Sequence, residues 1–318
     1  MNKVYQVITD KFIEALEQGV IPWEKPWNAL GMMPRNAVSK NTYSGVNVLM
    51  LAMVSHMKGY QNPFWVTYKQ ASTLGGSVKT GEKSAPVTFW KVQYYHTETN
   101  EKLTPSQVAK MRKDSADKHK IKTVPILRYY NVFNIEQCED IDDSKLPEIA
   151  ESTFEHEPDE HAQSIIDAYV NREGLNITAG PSAFYTPTTD SICMPPMASF
   201  PELSKYYSTF FHEMVHSTGS KSRLKRDLNG NMRTDSYSKE ELTAEIGASF
   251  LNHQCGFLDN TIENSTAYIQ SWLSRFREKD GPTYIVHAAA RAEKAVEFIV
   301  GDAEGKTNKN TKASKAVA

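Results

Sequence analysis

The sequence predicts an α+β protein of two domains, and three observations carry that prediction. The first half mixes amphipathic helices with long aromatic and β-branched strand segments, whereas the chain from residue 203 onward reads mainly as helices. Charge divides at the same place. Residues 1–135 hold 18 Lys and Arg against 9 Asp and Glu, a balance of +9; residues 136–318 hold 18 against 29, a balance of -11. Finally, a His-Glu-x-x-His pattern at residues 212–216 lies inside one of the late helices. A length of 318 residues suits two cores of ordinary size. With 40% hydrophobic and 23% charged residues, wholesale disorder and fibrous folds are excluded.

The opening segment MNKVYQVITDKFIEALEQG places Val4, Val7, Ile8, Phe12 and Leu16 on one stripe of a helix over 3–18, stopped by Gly19. Asp10, Glu14 and Glu17 interrupt its apolar pattern, so it is no secretion signal. No apolar run reaches the length of about 18 residues that a membrane helix requires. Three widely spaced cysteines, Cys138, Cys193 and Cys255, suggest no disulfide framework. The expectation is a cytoplasmic protein with no membrane partner.

IPWEKPW at 21–27 is a proline-stiffened loop carrying Trp23 and Trp27. A helix is expected near 44–57, then a strand or helix start at Val66 and Tyr68. APVTFWKVQYY and VPILRYYNVFNI are the strongest strands, with 98–120 as a polar loop between them. From Glu136 to Glu160 there are 11 carboxylates and one lysine, Lys145, which reads as an exposed, partly extended connector. The domain plan is thus 1–137, an acidic connector at 138–162, a second domain at 163–302, and a polar, disordered tail at 303–318. SAFYTPTTDSICMPP reads as two short strands around a turn, and TAYIQSWLSRF and YIVHAAARAEKAVEFIV as closing helices.

Aromatic and basic residues interleave in the positive half: Trp23, Lys25, Trp27, Tyr43, Tyr68, Lys69, Lys79, Lys83 and Trp90. Single-stranded nucleic acid suits such a surface, because bases stack on aromatic faces while lysines neutralise phosphates. Duplex readers show a recognition helix or finger motif, and none is visible. For each aromatic the structural alternative is core packing.

LSKYYSTFFHEMVHSTG at 203–219 has apolar residues at helical spacing. Four residues make slightly more than one turn, so His212 and His216 project from one face and can grip one ion. Glu213 is placed to act as general base toward water. Zn2+ is the default ion for such ligands, with Mn2+ as the alternative. A third ligand is expected on the helix SYSKEELTAEIGASFLNHQCG, where Ser238 and Glu241 also fit a capping box. Glu241 is the preferred ligand and Glu245 the supporting carboxylate, with the reverse assignment open. His253 is a rival, three turns beyond Glu241. Tyr237 is a candidate for steadying an oxyanion. The RLKRD segment at 223–227 is expected to form ion pairs in preference to binding phosphate.

GVIPWEKPW, YSGVN, GEKSAPVTFWK and YYNVFNIEQCEDI resemble the N-terminal domain of ArdC-type antirestriction proteins, shared with TraC-type plasmid primases. HEMVHSTG, RLKRD and EELTAEIGASFL resemble the zincin-like metallopeptidase domain that follows it. The resemblance implies an N-terminal mixed α/β domain that binds single-stranded DNA and a gluzincin-like peptidase domain; a host protein is a candidate substrate, and whether a peptide substrate exists is left open by the sequence. It implies carriage on a mobile element in plasmid conjugation and protection of incoming DNA from restriction. Carried onto this chain, it implies metal at His212, His216 and the Glu241–Glu245 segment, with Glu213 catalytic. The alternative is a non-enzymatic DNA-binding protein whose metal is structural.

Overall fold

The structure, a computed structural model, describes residues 3–23, 32–114, 117–148, 158–200, 202–228, 235–257, 266–278 and 281–301. The first half runs α1 (Lys3–Glu17), β1 (Arg35–Asn36), α2 (Val46–Lys58), β2 (Phe64–Val66), α3 (Tyr68–Thr73), β3 (Ser77–Val78), β4 (Ala85–His96), β5 (Lys102–Leu103), α4 (Pro105–Lys113), β6 (Ile121–Asn134) and β7 (Cys138–Glu139). The second half runs α5 (Pro158–Glu173), β8 (Asn176–Ala179), β9 (Phe184–Thr186), β10 (Ser191–Met194), α6 (Leu203–Thr218), α7 (Asp235–Cys255), α8 (Thr266–Arg277) and α9 (Gly281–Val300). The α+β class expected from the sequence is what is found.

The first sheet has the order β1-β2-β6-β4-β5, and its backbone is the long antiparallel pair β4–β6, in register from Ala85 opposite Val132 to His96 opposite Ile121. Asn47, near the start of α2, fixes this pair to the helix. Its side chain accepts from the Thr88 N–H at 2.7 Å and donates to the Thr88 carbonyl at 2.8 Å. A second sheet, β8-β10-β9, lies beside α6, and β9 is one of its edges among the described residues. Its two antiparallel members are the expected short strands around the Pro-Thr-Thr-Asp turn.

Three local expectations are corrected. Residues 98–120 are not a plain loop, since they hold β5 and α4. Thr104 and Gln107 cap each other's backbone around Pro105 at N1, a capping box that starts a helix in a polar stretch. The acidic stretch is only partly a connector. Cys138–Glu139 pair with β3, and Pro158, Asp159 and Glu160 begin α5, where carboxylates favour a helix N-terminus. Residues 149–157 of it lie outside the described residues, as does the tail from residue 302. Lastly, α7 starts at Asp235, so Ser238 sits inside the helix and is not its cap.

The two halves share one core. A continuous apolar cluster runs from Ile8, Phe12 and Leu16 of α1 through Leu49 and Met50 of α2 to Phe211 of α6 and Ile285, Ala289 and Ile299 of α9. The stripe of α1 packs on α8 and α9, although these belong to opposite ends of the chain. Buried Thr9 donates its hydroxyl to the Pro282 carbonyl at 2.9 Å, and Arg277 contacts Glu17 at the rim.

Candidate functional site

His212, Glu213 and His216 sit on α6, whose other side is anchored by buried Phe210, Phe211, Met214 and Val215. Glu241 comes from α7. The two helices cross closely because Gly247 faces Val215: a Cβ on Gly247 would lie 2.7 Å from the Val215 Cγ2. Buried Ala244 and Ala248 continue the same small-residue face. Close approach brings the α7 carboxylates within reach of the α6 imidazoles.

Three donor atoms converge. His212 Nε2 and His216 Nε2 are 3.0 Å apart. The Glu241 oxygens lie 3.6 Å from His212 Nε2 and 3.4 Å from His216 Nε2. Ligands bound at about 2.1 Å and at tetrahedral angles sit about 3.4 Å from one another. The observed separations bracket that value, so this donor set fits a small divalent ion such as Zn2+ or Mn2+. Among the described residues this is the group of His, Cys, Asp and Glu able to hold one.

Electrostatics agree with the geometry. Burial opposes charge on His216, but the Glu240 and Glu241 carboxylates outweigh it and push its pKa up to about 10. Burial likewise opposes charge on His212, and the adjacent Glu241 carboxylate with the nearby Glu245 and Glu213 charges holds its pKa above the usual imidazole range. Burial raises the Glu241 pKa, and the two imidazoles more than reverse that, so it lies far below the ordinary carboxylate value.

The cleft above these atoms has a volume of about 370 Å³ and also admits Glu213, Phe184 and Tyr185. Glu213 is largely buried on the same helix turn. Phe184 is exposed on the edge strand β9. Tyr185 donates its hydroxyl to Asp190 at 2.7 Å, and Asp190 accepts from Arg223 at 2.8 Å. Arg223 also pairs with Glu173 at 2.9 Å, and Arg226 with Glu240 at 2.7 Å. Both arginines of RLKRD are therefore in ion pairs, as expected.

Glu245, the supporting carboxylate expected from the sequence, lends its charge to His212. The atom facing the second ring nitrogen of His216 is Glu240 Oε1, 3.3 Å from Nδ1. Residues Glu240 and Glu241 are neighbours about 100° apart on a helix, so only the actual helix pairing tells them apart. His253 is partly buried and lies away from this cluster, and desolvation lowers its pKa to about 4. The Tyr237 side chain lies outside the described residues.

The residues expected from the sequence to meet nucleic acid divide sharply. Trp23 is wholly buried, edge-on to Trp272 at 5.6 Å and to Phe276 at 6.2 Å, and so cannot present a stacking face. Tyr43 is mostly buried and tied to Asn36 at 3.3 Å. Lys25 and Trp27 lie outside the described residues. Tyr68, Lys69, Lys79, Lys83 and Trp90 are exposed, with Lys79 donating to the Glu136 carbonyl at 2.9 Å. Among the described residues, four exposed aromatics gather in the middle of the β4–β6 pair, where Phe89, Trp90, Tyr129 and Tyr130 are 39–49% exposed. The register puts Phe89 opposite Arg128 and Lys91 opposite Ile126, on the same face as Tyr130. The Phe89 and Tyr130 rings are 5.6 Å apart. Trp90 and Tyr129 lie on the reverse face. Phe89, Arg128, Tyr129 and Tyr130 are not singled out by the sequence, because alternation along a strand does not say which face stays open.

Residues 2–133 match the family described as the N-terminal domain of anti-restriction factor ArdC. Residues 161–291 match a zincin-like metallopeptidase family. Two crystal structures of antirestriction ArdC from the R388 plasmid are similar over 93% of this chain and 96% of theirs. The metal-free form has 34% identity and a TM-score of 0.65, and the Mn(II)-bound form 33% and 0.66. DNA primase TraC of Escherichia coli is 34% identical over 302 residues, which is 93% of this chain and 27% of TraC. This chain thus spans about a quarter of the length of that relative. The protein y4eC of Sinorhizobium fredii (strain NBRC 101917 / NGR234) is 29% identical over 303 residues, 93% of this chain and 91% of that one.

Proposed function

This chain belongs to the ArdC antirestriction family, and from that premise we propose that it binds single-stranded DNA with its first half, carries a metal-dependent peptidase site in its second, and protects incoming DNA from host restriction in the cytoplasm. The observation that carries the peptidase reading is the convergence of His212, His216 and Glu241 donor atoms at 3.0–3.6 Å beneath an open cleft. These residues would hold Zn2+ or Mn2+. When bound, the ion supplies Lewis acidity toward a carbonyl oxygen and acidifies water, to a pKa of about 7 in the case of zinc. Glu213 takes a proton from the attacking water at its carboxylate and returns it to the leaving amine. Strand β9, an edge of its sheet among the described residues, offers an extended peptide a strand to pair with beside Phe184. A host protein is the proposed substrate.

Single-stranded DNA is assigned to the exposed β4–β6 surface, where Phe89 and Tyr130 offer rings and Lys91 and Arg128 offer charge. That exposed surface also favours a second reading, in which coating the strand is sufficient for protection and the metal only steadies the fold. Plasmid transfer into a restricting host separates the two. Glu213→Gln and a Phe89→Ala/Tyr130→Ala variant are compared with wild type. Loss of protection in Glu213→Gln, with folding and DNA binding intact, supports metal chemistry in protection. Loss only in the aromatic variant supports protection by binding alone, and retention in both refutes the assignment of either surface.

A further inference from the structure

We propose that Glu240 and Arg226 are positioning residues for the metal centre, with Glu240 accepting the His216 Nδ1 proton and Arg226 holding Glu240 in place. The inference rests on the metal-site reading above. It starts from the two nitrogens of one ring: His216 Nε2 faces His212 and Glu241, while Nδ1 faces Glu240 Oε1 at 3.3 Å. An imidazole that offers a lone pair at Nε2 carries its proton on Nδ1, and a carboxylate there fixes both tautomer and ring angle. Glu240 is 7% exposed, so its own charge needs a partner. Arg226 supplies it twice, donating from Nε to Oε2 at 2.9 Å and from Nη2 to Oε1 at 2.7 Å.

The same guanidinium reaches the end of the metal helix. Nη2 donates to the Val215 carbonyl at 2.6 Å and Nη1 to Thr218 Oγ1 at 2.7 Å. Residues near the C-terminus of α6 have carbonyls without helical partners, which a cation satisfies well. Arg226 thereby ties the last turn of α6 to Glu240 on α7. Adjacent glutamates on one helix thus divide two tasks: Glu241 faces the ion and Glu240 faces the back of the ring that holds it.

The test titrates metal-free protein with Mn2+ and with Zn2+ by calorimetry, after a thermal melt of each variant without metal. Two variants are used: Glu240→Gln, and the pair Arg226→Met/Glu240→Met. The second removes both charges together, a replacement that commonly leaves a buried pair's fold intact. Loss of an outer partner of a ligand histidine weakens metal binding about 10–100-fold. That loss is expected in the Met pair, with an equal or smaller loss in the Gln variant, which retains an acceptor. In the zinc-loaded protein the His216 Nδ1–H resonance should be sharp in wild type and broadened by exchange in the Met pair. Affinities within about twofold of wild type in both variants overturn the inference and leave the metal site standing. A weak Gln variant beside a normal Met pair also overturns it, because the loss then comes from a stranded Arg226. Should the Met pair fail to melt cooperatively, the Gln variant decides alone, with a loss of about tenfold or more required. Wild type that binds no ion removes the metal-site reading and this inference with it.

Discussion

Replacing Trp23 with alanine tests whether the two halves are one folding unit. Trp23 is wholly buried in the first half, yet its ring neighbours, Trp272 and Phe276, belong to α8. A buried tryptophan hides about 150–250 Å². At about 25 cal/mol per Å² that is about 4–6 kcal/mol, an upper bound because the unfolded chain already covers some of this area. Each edge-on aromatic pair adds about 0.5–1.5 kcal/mol. Relaxation around the cavity recovers part of the loss, and large-to-small changes of this kind cost about 3–5 kcal/mol. Trp23→Ala should therefore lower stability by about 3–5 kcal/mol, with both halves lost in one transition. Urea unfolding followed by circular dichroism measures the first effect, and tryptophan fluorescence from both halves the second. Single-stranded DNA affinity, measured at a temperature where the variant is folded, should stay within about threefold of wild type. Unchanged stability with a tenfold loss of DNA affinity would refute the argument and return Trp23 to the surface.

Other outcomes follow from the same structure. Phe89→Ala and Tyr130→Ala should each weaken single-stranded DNA binding by about 1–3 kcal/mol, read by fluorescence anisotropy, whereas wild-type affinity in both would remove the β4–β6 surface from DNA binding. In metal-free protein, His216 has its pKa raised from 6.5 to about 10, so its stabilising effect is full below about pH 6.5 and fades as pH rises toward 10. Glu241 is shifted the other way, so its contribution is present above its ordinary 4.5 and is lost as pH falls well below that value. Metal must displace the imidazole protons, so the rise in melting temperature on adding Mn2+ should grow between about pH 6 and about pH 8.5; a rise independent of pH contradicts it. Gly247→Ala gains about 1 kcal/mol of helix propensity but forces a contact with the stiff Val215, at a cost of about 1–3 kcal/mol. Weaker Mn2+ binding is expected with it, because α6 and α7 must part, and unchanged calorimetric affinity would show the helices can adapt.

What was legible in the sequence was local and periodic. The helix carrying His212, Glu213 and His216 follows from its own spacing, and the strands β4 and β6 from their aromatic and β-branched runs. Convergence of Glu241 with the imidazoles could be anticipated because the next helix offers small residues, Ala244 and Ala248, on the neighbouring face. Pairings across long separations were not legible. Trp23 lies in a proline-stiffened loop that reads as surface until Trp272 and Phe276 arrive from the far end of the chain. Glu240 looks like any solvated glutamate until Arg226, from an irregular loop, is placed beside it. The capping box at Thr104 was present in the letters, but a polar stretch without an apolar stripe gave no reason to look for a helix. Alternation in β4 and β6 could not say which faces stay open, since that depends on what α2 covers.

The burial of α1 against α9 sets a timetable for biosynthesis. Thr9 and the Pro282 carbonyl that it bonds are separated by 273 residues. Ribosomes add about 5–20 residues per second, so about 14–55 seconds pass between the making of one partner and the other. Throughout that interval the stripe of Ile8, Phe12 and Leu16 has no permanent cover from α9. The nascent first half must wait in a soluble state, with its apolar helix folded back on α2 or shielded by a chaperone, until the last helix emerges. Newly made protein should therefore depend on chaperones far more than its finished, interlocked form does.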